Sequence, residues 1–379
     1  MGSMGPVRAC ARRAAQIFGN AVLASLSLAA GMLVIELILR AATGGLYLDR
    51  DLRIQRGPRG LTHLPNQEQV WRRPEWDVHI RINSRGLRDY EPRAKARRAV
   101  LALGDSFTEG WGVQLDETYA KRLEAAVRRR QPGDRVLIGG AHGLNPFSYF
   151  RMYEDYFRSD RSVGLVLMQF YVGNDIETEP RSGYSTPSSR EVFTYRVKRL
   201  LSEHCVLYNF LRRPVKLSRR FYELAMRLGI SYRLGMDPIW ADPARKPAWE
   251  FTAGLLRDFQ REVRADGREF ALFLIPCRVQ VEDDYFDWLV RVAQVDPRTL
   301  RRFEFNAFMR DFARRNGIAL LDLTEVFREA YRKGGRPLYF RTDSHWTPAG
   351  HALAAGELER FLRARGFLRR LDARPAVLP

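Results

Sequence analysis

The stretch Val100-Leu101-Ala102-Leu103-Gly104-Asp105-Ser106-Phe107-Thr108 runs from four apolar residues straight into Gly-Asp-Ser and a polar turn. An uninterrupted apolar run bounded by turn residues fits a strand covered on both faces, as in a parallel sheet. Four more runs share this character: Val136–Ile138, Leu165–Phe170, Phe270–Ile275 and Ile318–Leu323. Between and after them, Glu117–Arg130, Leu300–Arg315 and Ala352–Arg365 space their apolar residues with a helical period. Strands alternating with amphipathic helices predict an α/β fold with a parallel sheet and helical crossovers.

Working back toward the N-terminus, residues 40–97 contain Gly, Pro and Arg with little helical period. They read as a lead-in holding one short strand, Val78-His79-Ile80-Arg81-Ile82. Before it, no charged residue occurs from Ala14 to Ile35, and the apolar character resumes after Glu36 in Leu37-Ile38-Leu39. A helix needs about 20 mainly apolar residues to cross the hydrocarbon core, so residues 14–39 are expected to form a transmembrane anchor. The run exceeds the apolar core of a secretory signal and no A-x-A site follows it, which favours an uncleaved anchor over a cleaved signal or a buried core helix. Arginines flank both ends, so the positive-inside rule gives no orientation. The expected organisation is a basic tail at 1–13, the anchor at 14–39, the lead-in at 40–97 and a catalytic domain at 98–379. Residues from about 182 to 246 break the alternation of strands and helices and are expected to be a helical insertion. This insertion is basic and rich in Leu, Tyr and Phe, a composition shared by a lid, a membrane-surface helix and an ordinary packed helix.

Composition bounds the function. Of 379 residues, 45% are hydrophobic and 28% charged, which suits a folded chain, and 63 Lys+Arg against 44 Asp+Glu give a formal net charge of +19. Such a charge suits anionic lipid, an acidic polymer or nucleic acid. No zinc-finger spacing, RNA-recognition signature or basic zipper accompanies it, so no nucleic-acid partner is expected. Cys10, Cys205 and Cys277 fit neither a zinc site nor a CxxC pair; a Cys205–Cys277 disulfide and buried free thiols both stay open.

Chemistry concentrates where the apolar runs end, because open α/β sheets place ligands at the carboxyl ends of their strands. Ser106 follows the first run. A serine needs an adjacent base to act as a nucleophile, and the base needs a third group to orient it. His345, in Thr342-Asp343-Ser344-His345-Trp346 before the last helix, supplies the second role and Asp343 the third. Gly139-Gly140-Ala141-His142-Gly143 follows the second run and Val172-Gly173-Asn174-Asp175 the third. A glycine amide and an asparagine side chain are suitable donors to a developing oxyanion. His142 is a candidate to line the pocket, and His351 reads as structural.

These four blocks, in the order Ser, Gly, Asn, Asp/His, resemble the SGNH/GDSL hydrolase superfamily over about residues 98–368. The resemblance implies a three-layer α/β/α sandwich, with Ser106 as nucleophile, His345 as base and Asp343 assisting. It also implies an oxyanion hole built from the Ser106 amide, Gly143 and Asn174, with no metal or organic cofactor. Common members carry Asp-x-x-His; here Thr342 stands at that aspartate position and Asp343 gives Asp-x-His. Asp343-Ser344-His345-Trp346 is similar to the SGNH-like proteins of alginate acetylation. Ile82-Asn83-Ser84-Arg85-Gly86-Leu87-Arg88-Asp89 is similar to membrane-anchored bacterial members. The expected activity is an esterase or deacylase acting on an O-acyl ester of a glycan, lipid or small molecule, with the catalytic domain in the periplasm. The alternatives are O-acetyl transfer to a polysaccharide and a catalytically silent binding protein.

Overall fold

The computed structural model describes residues 5–44, 54–57, 60–73, 75–92, 98–176, 193, 197–198, 200–202, 204–217, 246–293, 296–341 and 343–373. The chain divides into two compact units, residues 1–50 with 186–218, and residues 51–185 with 219–379. Most of the expected insertion lies outside the described residues.

In the first unit, helix α1 spans Gly5–Thr43. From Gln16 to Thr43 it is long and apolar enough to cross a membrane. Its large side chains face outward, Phe18 at 71% exposure and Leu23 at 65%, so it is not a core helix. Near its end Glu36 accepts hydrogen bonds from the backbone N–H groups of Val206 (2.9 Å) and Leu207 (2.6 Å). These open the helix Val206–Leu217, part of the expected insertion. A carboxylate is well placed there, since the first N–H groups of a helix have no partner within it.

The second unit opens with two antiparallel hairpins, β1 (Ile54–Gly57) with β2 (Gly60–His63), and β3 (Glu68–Arg73) with β4 (Trp76–Arg81). Only β4 overlaps a strand expected from sequence. Trp71, Val78, Ile80 and Ile82 form a small buried cluster that holds the second hairpin. The main sheet follows: β5 (Arg98–Gly104), β6 (Asp134–Gly140), β7 (Val163–Tyr171), β8 (Glu269–Ile275) and β9 (Ala319–Asp322), in the spatial order β6-β5-β7-β8-β9. All four pairings are parallel, and all five strands coincide with the apolar runs.

Alternate residues of each strand serve opposite cores. Leu101, Leu103, Val166, Met168, Phe270 and Leu272 pack on one face against the helices Pro146–Met152, Lys246–Ala265, Asp283–Ala293 and Glu304–Arg315. Val100, Ala102, Leu165, Leu167, Ala271 and Phe273 pack on the other against Tyr119–Arg128, Thr324–Arg332, Pro348–Ala364 and Phe367–Ala373. Apolar residues at both parities make the strands unbroken runs in sequence, and the result is the three-layer α/β/α sandwich.

Helix ends follow local chemistry more than apolar period. The helix expected from Glu117 begins at Tyr119, because Thr118 caps it by accepting from the Lys121 amide (3.2 Å). The one expected from Leu300 begins at Glu304, since Leu300 keeps extended backbone (φ −88°, ψ 135°) after a short turn. The last expected helix starts earlier, at Pro348, behind the Thr347 cap and with proline at the first position, where its missing N–H costs nothing. Cys205 and Cys277 are both free thiols, so the disulfide reading is set aside. Burial pushes the Cys277 thiol up to about 12.

Candidate active site

The nucleophile candidate sits where β5 ends. Gly104 is the last residue of the strand, Asp105 turns the chain, and Ser106 opens the four-residue helix Ser106–Glu109. Gly104 cannot be larger. A β-carbon there would lie 2.2 Å from Thr108 Oγ1 and 2.2 Å from Gln169 Cγ. Asp105 caps the helix by accepting from the Phe107 amide (2.9 Å) and is held by the side-chain amides of Gln169 and Asn174. Burial raises the Asp105 pKa against these hydrogen bonds.

His345 and Asp343 arrive from the far end of the sequence. Their loop is closed as a narrow antiparallel pair. Tyr339 bridges Trp346, the Phe340 amide donates to the His345 carbonyl (3.0 Å), and the Thr347 amide donates to that of Leu338 (2.9 Å). Ser106 Oγ lies 2.7 Å from His345 Nε2. Asp343 Oδ1 meets His345 Nδ1 and accepts the His345 amide (3.0 Å). With Nδ1–H given to Asp343, Nε2 is left as the acceptor for the serine hydroxyl, the tautomer a general base requires. Burial works against charge on the ring, but Asp343 outweighs it and raises the His345 pKa. Burial likewise opposes charge on Asp343, and the histidine outweighs it, bringing the carboxyl to about 2.

Trp111 is a site residue that the sequence reading missed. Its indole N–H donates to Asp343 Oδ2 (3.0 Å), while its ring lies 5.7 Å from that of His345 and 5.5 Å from that of His142. It holds the oxygen of Asp343 that does not face the histidine. Nothing local marks it, because its partner is 232 positions away.

The expected oxyanion donors lie at the same end of the sheet. Gly140 pairs with Gly104 across β6 and β5, so Gly143 follows its strand end much as Ser106 follows its own. Gly143 has φ +79°, in the left-handed region that favours glycine. Asn174 lies three residues beyond Tyr171, the last of β7. Its side-chain amide donates to Asp105 (3.3 Å), which leaves a second N–H for another acceptor. Asp175 beside it is buried and structural: it accepts from the Tyr149 hydroxyl (3.0 Å) and the Tyr171 amide (2.8 Å).

The two competing histidines part company. His351 is buried away from Ser106, where its Nδ1 accepts the Tyr119 amide (3.1 Å) and burial drives its pKa to about 3. His142 does stand near the site, tied to Glu109 rather than to Ser106. Among the described residues a cavity of about 990 Å³ lies elsewhere, between the lead-in and the β6 edge, lined by Arg81, Tyr90, Lys121 and Arg135. None of the serine, histidine and aspartate borders it.

Residues 239–377 match the family model of the SGNH hydrolase-like domain of the acetyltransferase AlgX. That stretch contains Asp343 and His345; Ser106, Gly143 and Asn174 precede it. No curated protein matches the chain. Among solved structures, a member of the lipolytic protein G-D-S-L family from Veillonella parvula DSM 2008 is similar at 14% identity, with a TM-score of 0.38 over 70% of this chain and 99% of that one. A mutant of Axe2, an acetyl-xylooligosaccharide esterase from Geobacillus Stearmophilus, is similar at 12% identity and 0.38, over 75% and 99%. An acetyl xylan esterase, AlAXEase, is similar at 11% identity and 0.39, over 69% and 97%. Over residues 239–377 the chain is thus similar to an SGNH hydrolase-like domain, and this stretch supplies β8, β9 and the last helices of the same sheet that carries the Gly-Asp-Ser turn at the end of β5.

Proposed function

We propose that this chain cleaves O-acyl esters through an acyl-Ser106 intermediate. The observation that carries this reading is the hydrogen-bonded line from Ser106 Oγ to His345 Nε2 (2.7 Å) and from His345 Nδ1 to Asp343. Ser106 attacks the carbonyl carbon while its proton passes to His345, and Asp343 stabilises the imidazolium that results. The carbonyl oxygen gains negative charge and takes hydrogen bonds from the Ser106 and Gly143 amides and the Asn174 side chain. His345 returns its proton to the leaving alcohol. A second oxygen nucleophile, deprotonated by His345, then attacks the acyl group and releases Ser106.

That second nucleophile separates two readings. If it is water, the protein is an esterase or deacylase. If it is a sugar hydroxyl, the protein is an O-acyltransferase, a reading favoured by the match to the SGNH hydrolase-like domain of an acetyltransferase. The apolar helix α1 supports a membrane-anchored placement, and the proposal sets the catalytic unit outside the cytoplasm.

A fluorophosphonate should label the purified chain and should not label Ser106→Ala or His345→Ala when both variants fold. Failure of the wild type to react would sink the acyl-enzyme reading and leave a binding protein. Acyl release from an activated acetyl ester, measured with and without candidate polysaccharides, then divides hydrolysis from transfer.

A further inference from the structure

A second buried polar set stands behind the serine. Glu109, the last residue of the helix that Ser106 opens, has only 1% of its surface exposed, and His63, at the end of β2, has none. Glu109 Oε1 lies 2.6 Å from His63 Nε2. Glu109 Oε2 accepts the backbone amide of His142 (2.6 Å) and lies 3.1 Å from His142 Nδ1. One carboxylate therefore joins three separate parts of the chain: the nucleophile helix, the lead-in hairpin and the loop after β6. Burial opposes its charge, but the two histidines outweigh burial and hold it ionised.

A buried polar cluster around a carboxylate is a poor source of stability, because desolvation consumes most of the attraction. Position offers a better account. The His142 amide fixed by Glu109 belongs to the peptide just before the one that carries the Gly143 N–H. An oxyanion donor acts only within about 3 Å of the developing charge, and a misplacement of about 1 Å can cost about 10²-fold.

We propose that Glu109, locked by His63, is a positioning residue that aims the Gly143 amide at the oxyanion. The proposal rests on the acyl-Ser106 reading and on Gly143 as a donor. The lead-in hairpin then completes the active site through His63, although it contributes no group that touches substrate.

The test uses the full chain in detergent, with Glu109→Ala and Glu109→Gln. Glutamine can still accept the His142 amide through its oxygen and donate its NH₂ to His63 in the opposite tautomer, so it keeps the tie without the charge. Hydrogen exchange of residues 141–145 should quicken at least tenfold in Glu109→Ala, with the strand amides of β5 and β7 unchanged. Per fluorophosphonate-reactive site, kcat for p-nitrophenyl acetate should fall about 10²-fold with little change in KM, and Glu109→Gln should recover most of it. Unchanged exchange at 141–145, or an unchanged kcat per site, overturns the proposal. A wild type that takes no fluorophosphonate removes the acyl-enzyme reading, and the exchange measurement then decides the positioning role alone. Zinc-dependent stabilisation of the wild type that disappears in both His63→Ala and His142→Ala also overturns it, since the three groups would then be metal ligands.

Discussion

At the scale of single residues, the proposed acid Asp343 stands closer in sequence to its histidine than the common Asp-x-x-His spacing, and its geometry is compatible with the role proposed for it. Asp343 reaches both the ring and the amide of His345, and Trp111 fixes its outer oxygen. The raised His345 pKa has a direct kinetic consequence. The base must be neutral to accept the serine proton, so activity should decline as pH falls, beginning above the ordinary imidazole value of 6.5. Asp343→Asn should move that acid limb to lower pH and reduce kcat by about 10³-fold, which a pH–rate profile of ester cleavage reads directly. An unshifted limb would remove Asp343 from the role. Trp111→Phe keeps the ring and deletes the donor, and a loss of about tenfold in kcat is expected from one hydrogen bond to a charged group. Gly104→Ala forces a methyl group into Thr108 and Gln169, so thermal unfolding should show a loss of about 1–3 kcal/mol. Ser106, His345 and Asp343 could be singled out as candidates in sequence, because Ser106 follows an apolar strand and the other two precede the helix Pro348–Ala364. Trp111 and Glu109 could not: their partners are remote in the chain, and only the fold brings them together.

Between residue and molecule, the elements divide by how they are buried. The five sheet strands are covered on both sides and show as continuous apolar runs, so each could be read directly, whereas their spatial order β6-β5-β7-β8-β9 could not. The second hairpin of the lead-in holds only a small buried cluster. Trp71 is the one buried residue described in β3, beside an exposed Val70 and four charged or polar residues, and such a strand has no visible period. Polar contacts tie the end of the lead-in to the turn after Ser106–Glu109 and to β6. Arg88 is buried, and its guanidinium donates to the carbonyls of Glu109 (3.0 Å), Gly110 and Val113 (2.7 Å), the turn that ends the nucleophile helix. Burial lowers its pKa to about 10, which still leaves it charged at neutral pH. Its neighbour Asp89 pairs with Lys121 (2.5 Å) and accepts the Ile138 amide of the edge strand β6 (2.9 Å). Arg88→Met would strip three carbonyls of a charged donor. Chemical denaturation should report a loss of about 3 kcal/mol, since each buried acceptor left unpaired costs about 1–3 kcal/mol and partial hydration recovers some of it. A loss below about 1 kcal/mol would mean that this turn does not depend on the lead-in.

For the whole molecule, the question is where a protein of this charge works. The uncharged run from Ala14 to Ile35 would measure about 33 Å as a helix at about 1.5 Å per residue, close to the hydrocarbon thickness of about 30 Å. Glu36 and Arg40 come immediately after, paired with each other at 2.6 Å, and Glu36 is bound to the start of Val206–Leu217. Charged side chains are expensive inside a bilayer and acceptable at its edge, so this cluster marks an interface level better than a midplane. An uncleaved anchor of this kind predicts that the full-length chain stays with membranes through an alkaline carbonate wash and needs detergent for release. Orientation requires a separate observation, because arginines flank both ends of the helix. An acyl-transfer site outside the cytoplasm predicts that added protease degrades the unit containing residues 51–185 and 219–379 in spheroplasts whose inner membrane is intact. Protection of that unit until the membrane is lysed would place Ser106 in the cytoplasm, and exported polysaccharides would then be the wrong acceptors to screen.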